Sequence, residues 1–211
     1  MQITWLGHSF FLLVSLSGMK MAFDPFGETV GYPLREVAAD VVFVSHDHFD
    51  HNNLNLVRGY KEVFREPGNY EKEGVKITGF STYHDEEKGK KRGRNCVFRV
   101  EVDGMVVVHC GDLGTIPEPK ELEAWKPVDI LLVPVGGVYT IDAAKARELV
   151  KMLNPRIVVP MHYKTRYLQF ELGNVDPFLQ GFEVVKRIKG SSFEVDKEKL
   201  PPTTEIWVLE I

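Results

Sequence analysis

The chain predicts an α/β (α+β) fold built on large sheets, and three observations lead there. Its 211 residues are 44% hydrophobic and 27% charged, enough apolar material for one sizeable core. Apolar runs of strand length alternate with a helix-period segment, the order expected of interleaved strands and helices. Three of those runs lead straight into histidine or aspartate, the pattern of ligand loops mounted beyond buried strands.

Taken in order, residues 2–5, 10–14 and 19–23 read as strands, with Gly18 turning the chain between the second and third. Asp24-Pro25-Phe26-Gly27 breaks the run into a loop. Residues 41–44 (Val-Val-Phe-Val) form a buried strand, and Asn52 or Asn53 can cap a short helix through Arg58. Strands follow near 62–65 and 75–80, then a polar, basic loop over 85–94. Residues 96–102 and 105–109 form a hairpin about Asp103-Gly104, a pair suited to positive φ. Residues 130–135 are a buried strand. Asp142 caps a helix with Ala143, Ala146, Leu149, Val150 and Leu153 on one face, ended by Asn154-Pro155. Residues 157–160 are the next buried strand, 168–179 are read as helix, and 205–211 as a final strand. Length fits a single domain over 1–211.

Composition narrows the function classes. A net charge of −4 and a pI near 6.0 disfavour a general nucleic-acid binder. No apolar run approaches the ~18–20 residues of a membrane span, and residues 1–5 have no basic leader pattern. Cys96 and Cys110 imply no disulfide framework and suit a cytoplasmic protein with reduced thiols. Scarce glutamine with abundant Lys and Glu is a composition found in thermophiles.

The chemistry concentrates in His46-Asp47-His48-Phe49-Asp50-His51, three imidazoles and two carboxylates directly after a buried strand. Packing does not call for that density of titratable groups. A divalent cation does, because it binds neutral imidazole nitrogen and carboxylate oxygen together. His46 and His48 are two apart and project to one side of an extended segment, so they can share an ion. Asp50 and His51, where the chain turns, can face a second ion. Further ligands must come from elsewhere. Residues 106–108 run into His109 and Asp112, residues 157–159 into His162, and His8 and His84 remain.

Together with Trp5-Leu6-Gly7-His8-Ser9, Phe23-Asp24-Pro25-Phe26, Tyr83-His84-Asp85, Gly89, Arg92-Gly93 and Asn95, these motifs have a known counterpart. So do residues 109–114 (His-Cys-Gly-Asp-Leu-Gly), 134–142 and 160–164 (Pro-Met-His-Tyr-Lys). From residue 2 to about 165 the chain resembles the metallo-β-lactamase superfamily. Within it the likeness is to the ascorbate-6-phosphate-lactonase-like group of metal-dependent hydrolases. The resemblance implies a four-layer αββα sandwich of two similar halves, dividing near 100–115. It implies two metals, with His46, His48 and His84 on the first, Asp50, His51 and His162 on the second, and Asp112 bridging both. Asp24 is then an outer carboxylate orienting a ligand, and His8 and His109 are neighbours of the site rather than ligands. Residues 166–200 carry no recognised motif.

The expected chemistry is hydrolysis of an ester, lactone or phosphodiester by a metal-activated water held at Asp50 and Asp112. Zinc heads the metals, with manganese and iron as alternatives. His48 argues against the di-iron oxidoreductases of the same fold, which by family resemblance place glutamate there. Lys88, Lys90, Lys91, Arg92 and Arg94 make a basic loop beside His84. Arg92 and Lys90, with Lys164 and Arg166 opposite, form a candidate clamp for a small anionic substrate, and Tyr139 and Tyr163 are candidate hydrogen-bond donors. Glu86 and Glu87 partly cancel that field. The rival readings are a nuclease, disfavoured by the acidic pI and short chain, and a non-catalytic metal- or ligand-binding protein. A homo-oligomer is compatible with the sequence.

Overall fold

The computed structural model describes residues 1–211 throughout. The chain runs β1 (Gln2–Gly7), β2 (Phe10–Val14), β3 (Lys20–Phe23), β4 (Val37–Ala38), β5 (Val41–Phe43), β6 (Val57–Arg58), β7 (Glu62–Phe64), β8 (Gly68–Lys72) and β9 (Val75–Tyr83). It continues β10 (Arg94–Val102), β11 (Met105–His109), α1 (Pro119–Leu122), β12 (Ile130–Pro134), α2 (Ala143–Leu153), β13 (Ile157–Met161), α3 (Asp176–Leu179), β14 (Val185–Ile188), β15 (Ser192–Glu194) and β16 (Glu205–Leu209). Two sheets carry almost all of it. One has the order β15-β1-β2-β3-β5-β7, the other β14-β16-β13-β12-β11-β10-β9-β8.

Alternation along each strand assigns its two faces. Phe11 and Leu13 of β2, Met21 and Phe23 of β3, and Val41 and Phe43 of β5 enter a core cluster of 49 buried residues shared with the second sheet. Phe10, Ala22 and Val42, one residue out of step, enter a separate cluster of 12 on the opposite face. Phe43 links the sheets directly. Its ring stacks on Phe23 at 4.3 Å and meets Phe98 edge-on at 5.1 Å. Outside the second sheet lies α2, with Ala146, Leu149, Val150 and Leu153 buried. The Asp142 carboxylate accepts from Lys145 N–H, and Asn154 closes the helix at φ 49°. The cover over the first sheet is loops and short 3₁₀ turns such as Glu28–Val30 and Leu54–Leu56.

Sheet direction brings the site together. β1 and β3 both pair antiparallel with β2, and β5 lies parallel to β3, so β1, β3 and β5 end at the same edge. In the other sheet β9 and β11 both pair antiparallel with β10, and β13 follows β12 and β11 in parallel. Its strands β9, β11 and β13 therefore also share an edge. One to three residues beyond these six strands come His8, Asp24, His46, His84, Asp112 and His162.

Two sequence expectations are corrected. The helix through Arg58 is only the 3₁₀ turn Leu54–Leu56, because Val57–Arg58 leaves to pair in parallel with Val37–Ala38. The helix over 168–179 shrinks to Asp176–Leu179, since Gly173 and Asn174 interrupt it and Lys164 draws the preceding carbonyls into a loop. The short strands β4, β8, β14 and β15 and the helix α1, with Pro119 in its first turn, were not foreseen.

Candidate metal centre

Asp112 is the hub. Its Oδ2 lies 3.2 Å from His84 Nε2 and 3.2 Å from His162 Nε2, and its Oδ1 lies 3.2 Å from His51 Nε2. Three chain segments far apart in sequence thus meet on one buried carboxylate. His46 Nε2 stands 3.9 Å from the same group. Donor atoms of His46, His48 and His84 lie within 4.8 Å of one another, as do those of His8, Asp50, His51 and His162, and those of His46, His51 and Asp112. His48 is the one histidine of the seven that is not buried.

The ligand loops are stitched to each other through backbone. Gly114 N–H donates to Tyr83 O at 2.8 Å, His162 N–H to His8 O at 3.2 Å, and Cys96 N–H to Ser45 O at 2.8 Å. His8 and His162 both sit at φ 51°, a left-handed conformation uncommon outside glycine and held here by these crossings.

A second layer fixes ring orientation. Asp24 accepts from Ser45 N–H at 2.7 Å and from Ser45 Oγ–H at 2.6 Å, and its Oδ2 accepts from His51 Nδ1 at 2.9 Å. Ser45 Oγ, its proton given to Asp24, accepts from His46 Nδ1 at 2.9 Å. One carboxylate thereby orients two imidazoles and turns both Nε2 atoms toward the centre. Asn95 Oδ1 accepts from Asp112 N–H at 2.9 Å, while its amide nitrogen donates to Cys110 O. His8 Nε2 meets Asp50 Oδ2 at 3.1 Å. His109 bridges away from the centre, Nε2 to Ser9 O at 2.9 Å and Nδ1 from Gly111 N–H.

Electrostatics show that the cluster demands positive charge. Burial opposes ionisation of Asp112, but His162 and His51 hold its carboxyl well below the usual range. Burial likewise opposes a charge on His51, yet Asp112, Asp50 and Asp24 together raise it well above an ordinary histidine. His46 is pushed well down by burial and then by His51, and His48 is lowered by burial and His84, so both are neutral donors near pH 7. His8 falls to about 4 through burial and its neighbour His162. His46 Nε2, His51 Nε2, His162 Nε2 and Asp112 Oδ1 are buried with no hydrogen-bond partner among the protein's groups. Such atoms cost about 1–3 kcal/mol each when unsatisfied. Bound divalent metal would give these atoms partners and supply charge that the three carboxylates call for, so the residues fit a metal centre. Neither Cys96 nor Cys110 belongs to the clustered donor groups, and burial raises the Cys96 thiol to about 12 and Cys110 further.

A cavity of about 370 Å³ opens directly above this floor, lined by His48, Asp50, His84, Asp112, Phe49, Arg92, Tyr139 and Phe170. Arg92 also lines a neighbouring polar groove with Arg65 and Arg94, and its guanidinium stands 5.3 Å over the Tyr139 ring. The loop carrying Arg92 is wound about Asp85, which accepts from the backbone N–H groups of Glu87, Gly89, Lys91 and Arg92. Lys90 is exposed, and Lys91 pairs with Glu87.

The opposite wall of the expected clamp is corrected. The Lys164 ammonium donates to Leu168 O at 3.2 Å and Phe170 O at 2.9 Å, so it holds a loop rather than facing ligand. Arg166 turns to Tyr167 Oη and Ile211 O. Tyr163 is buried against Trp5 at 5.5 Å and does not line the cavity. Sequence reasoning also passed over Ser45, the Asp85 hub, and the rings of Phe49 and Phe170.

The β-lactamase superfamily domain family matches residues 2–162. The chain belongs to the metallo-β-lactamase superfamily. Within it, a UPF0173 metal-dependent hydrolase of Carboxydothermus hydrogenoformans is 32% identical, the match covering 78% of this chain and 85% of the relative. A protein of the same description from Archaeoglobus fulgidus is 30% identical, with 92% and 94% covered. The crystal structure of a candidate Zn-dependent hydrolase of the superfamily from Thermotoga maritima is 40% identical, covering 99% of this chain and 98% of its own, with a TM-score of 0.83. The mixed α/β architecture expected from the sequence is thus the architecture found.

Proposed function

We propose that the chain is a dinuclear metal-dependent hydrolase that cleaves an ester, lactone or phosphodiester bond in a small anionic substrate, as in the lactonase-like group its motifs resemble. The observation that carries this is Asp112, within 3.2 Å of histidines from three chain segments far apart in sequence. His46, His48 and His84 would hold one cation, and Asp50, His51 and His162 the other, with Asp112 between them. The all-nitrogen and oxygen donor set favours zinc. Two such cations, when bound, supply a water of lowered pKa and the charge that steadies a developing oxyanion.

The protein's own groups then have definite tasks. Asp24 and Ser45 keep His46 and His51 in the tautomers that present lone pairs inward. His8, neutral near pH 7, donates Nε2–H to Asp50 Oδ2 and fixes that carboxylate's rotamer. Arg92 places a cation at the cavity lip, where a substrate anion would be received bidentately. Two free, buried cysteines suit a reducing, cytoplasmic setting, and no helix is long and apolar enough to cross a membrane.

The test is His48→Ala, measured by metal content and by turnover of aryl ester, lactone and phosphodiester substrates after stripping and reloading with zinc, manganese or iron. The expected result is loss of turnover on every substrate together with less bound metal. Wild-type turnover in that variant would remove the metal-centred reading.

A further inference from the structure

The cavity above the floor is not walled as a simple anion pocket should be. Three of its eight lining residues are aromatic, Phe49, Tyr139 and Phe170, and only Arg92 is cationic. Phe170 stands 6.0 Å from Tyr139 at an interplanar angle of 73° and 6.5 Å from Phe49 at 72°, so the rings form an angular trough. Phe49 is 57% exposed although it sits between two candidate ligands, His48 and Asp50. That leaves a large apolar ring facing the mouth of the site with little of it covered by protein.

The trough is built, not incidental. Lys164, its ammonium held by Leu168 O and Phe170 O, also donates its backbone N–H to Gly173 O, and Gly173 N–H donates to Gly136 O. Gln169 N–H donates to Val30 O, and Leu168 and Leu172 are buried in the smaller apolar cluster, with Phe170 and Tyr139 packed on its margin. The Phe170 and His8 rings meet at 86° with centroids 5.6 Å apart, which ties the wall to the floor. On the other side Arg92 lies over Tyr139, so charge and aromatic face are adjacent.

Resting on the hydrolase reading above, we propose that the substrate carries its anionic, scissile group on an aromatic or similarly flat apolar group. That group lies against Phe49, Tyr139 and Phe170 while Arg92 receives the charge. A flat ring can stack on one wall and meet another edge-on, gains that a methyl or hydroxyalkyl substituent does not share. Lys164 is the positioning residue of the wall and touches no substrate.

The experiment is calorimetric titration of the zinc-loaded protein with phenylphosphonate and with methylphosphonate, zinc content being counted separately. The phenyl compound is expected to bind about tenfold more tightly or better, from the apolar area it buries and its ring contacts. Phe170→Ala should abolish that preference. Phe49→Ala, at an exposed position with no core role, should reduce it about threefold by removing one ring contact. Lys164→Met should lower the phenyl-to-methyl ratio as Phe170→Ala does while leaving methylphosphonate affinity within about twofold, and Lys164→Arg should restore it. Equal affinities in the wild type, or a preference intact in both phenylalanine variants, would overturn the proposal. Failure of the hydrolase reading looks different: no turnover of the aryl ester, lactone and phosphodiester substrates with any of the three metals, with the phenyl preference still measurable. Two zincs retained with no preference removes only the aromatic trough.

Discussion

The floor of the site and its walls are held by different means. The floor is made of residues one to three positions beyond six strand ends, with His48, Asp50 and His51 farther along the loop after β5, and its loops are joined by backbone hydrogen bonds such as Gly114 N–H to Tyr83 O and His162 N–H to His8 O. The walls are loops in which one charged side chain collects several main-chain groups, alongside a few backbone bonds such as Gln169 N–H to Val30 O and Gly93 N–H to Gly89 O. Asp85 gathers four backbone N–H groups around Arg92, and Lys164 gathers two carbonyls beneath Phe170. Changes in the floor should therefore remove metal and turnover together, whereas changes in a wall should alter affinity and selectivity and spare the metal. That division suits a fold in which function is set by loops mounted on a rigid frame.

The sharpest way to break the floor without touching a ligand is Gly114→Ala. A Cβ there would lie 2.2 Å from the His84 carbonyl carbon and 2.3 Å from Asp85 N, both backbone atoms that cannot swing aside. Relief requires the His84 and Asp112 loops to separate. We expect a loss of about 3 kcal/mol or more and, for a chain of this size, a melting temperature lower by roughly 6–12 °C, with metal affinity falling in parallel. Unchanged melting and metal content would mean that the crossing is not what sets the floor.

One layer outward, Asp24→Asn removes the acceptor that orients His51 and, through Ser45, His46. Metal affinity should fall about 10–100-fold with the fold intact, read by competition with a chelator and by circular dichroism. On the wall, Arg92→Gln should raise KM for anionic substrates about tenfold while leaving metal content and kcat near wild type, the cost of one charge-assisted contact. Removing the charges of Lys90 and Lys91 should have little effect, since Lys90 is exposed and Lys91 is paired with Glu87. If the lysine pair mattered as much as Arg92, the basic loop would act as a diffuse field and not through one positioned guanidinium.

The same division decided what could be read from sequence. Patterning at strand ends pointed to His46, His48, Asp50, His51, Asp112 and His162 as candidate ligands, while His84 and the outer role of Asp24 came from the family resemblance; the structure brings these side chains into one cluster. Helix α2 was legible from its cap and apolar face, and the Asp103-Gly104 hairpin from its turn pair, seen here with φ 53° and 72°. Ser45 was silent because a serine after a strand has many ordinary uses. Lys164 read as free charge because its partners are main-chain carbonyls, which carry no signal in the residue string. Phe170 lay in 168–179, where apolar spacing imitates a helix although the segment is bent by those carbonyl contacts.

Asp85 offers the finest test, because it separates loop order from chemistry. Burial disfavours its ionised form, but the N–H groups of Arg92, Glu87, Lys91 and Gly89 outweigh that and lower its pKa below the ordinary 3.8. With a lowered folded-state pKa, its stabilisation of the loop is complete above 3.8 and is lost only as pH falls through the depressed value. In the metal-free protein, amide resonances of Glu87, Gly89, Lys91 and Arg92 should stay fixed from pH 7 down to that point and then move together. Asp85→Asn, which keeps one acceptor oxygen and has no charge to lose, should show no such step and should already have partly shifted resonances at pH 7. A step near pH 6 in the wild type would instead tie the loop to a histidine of the floor, and wall and floor would then be one cooperative unit.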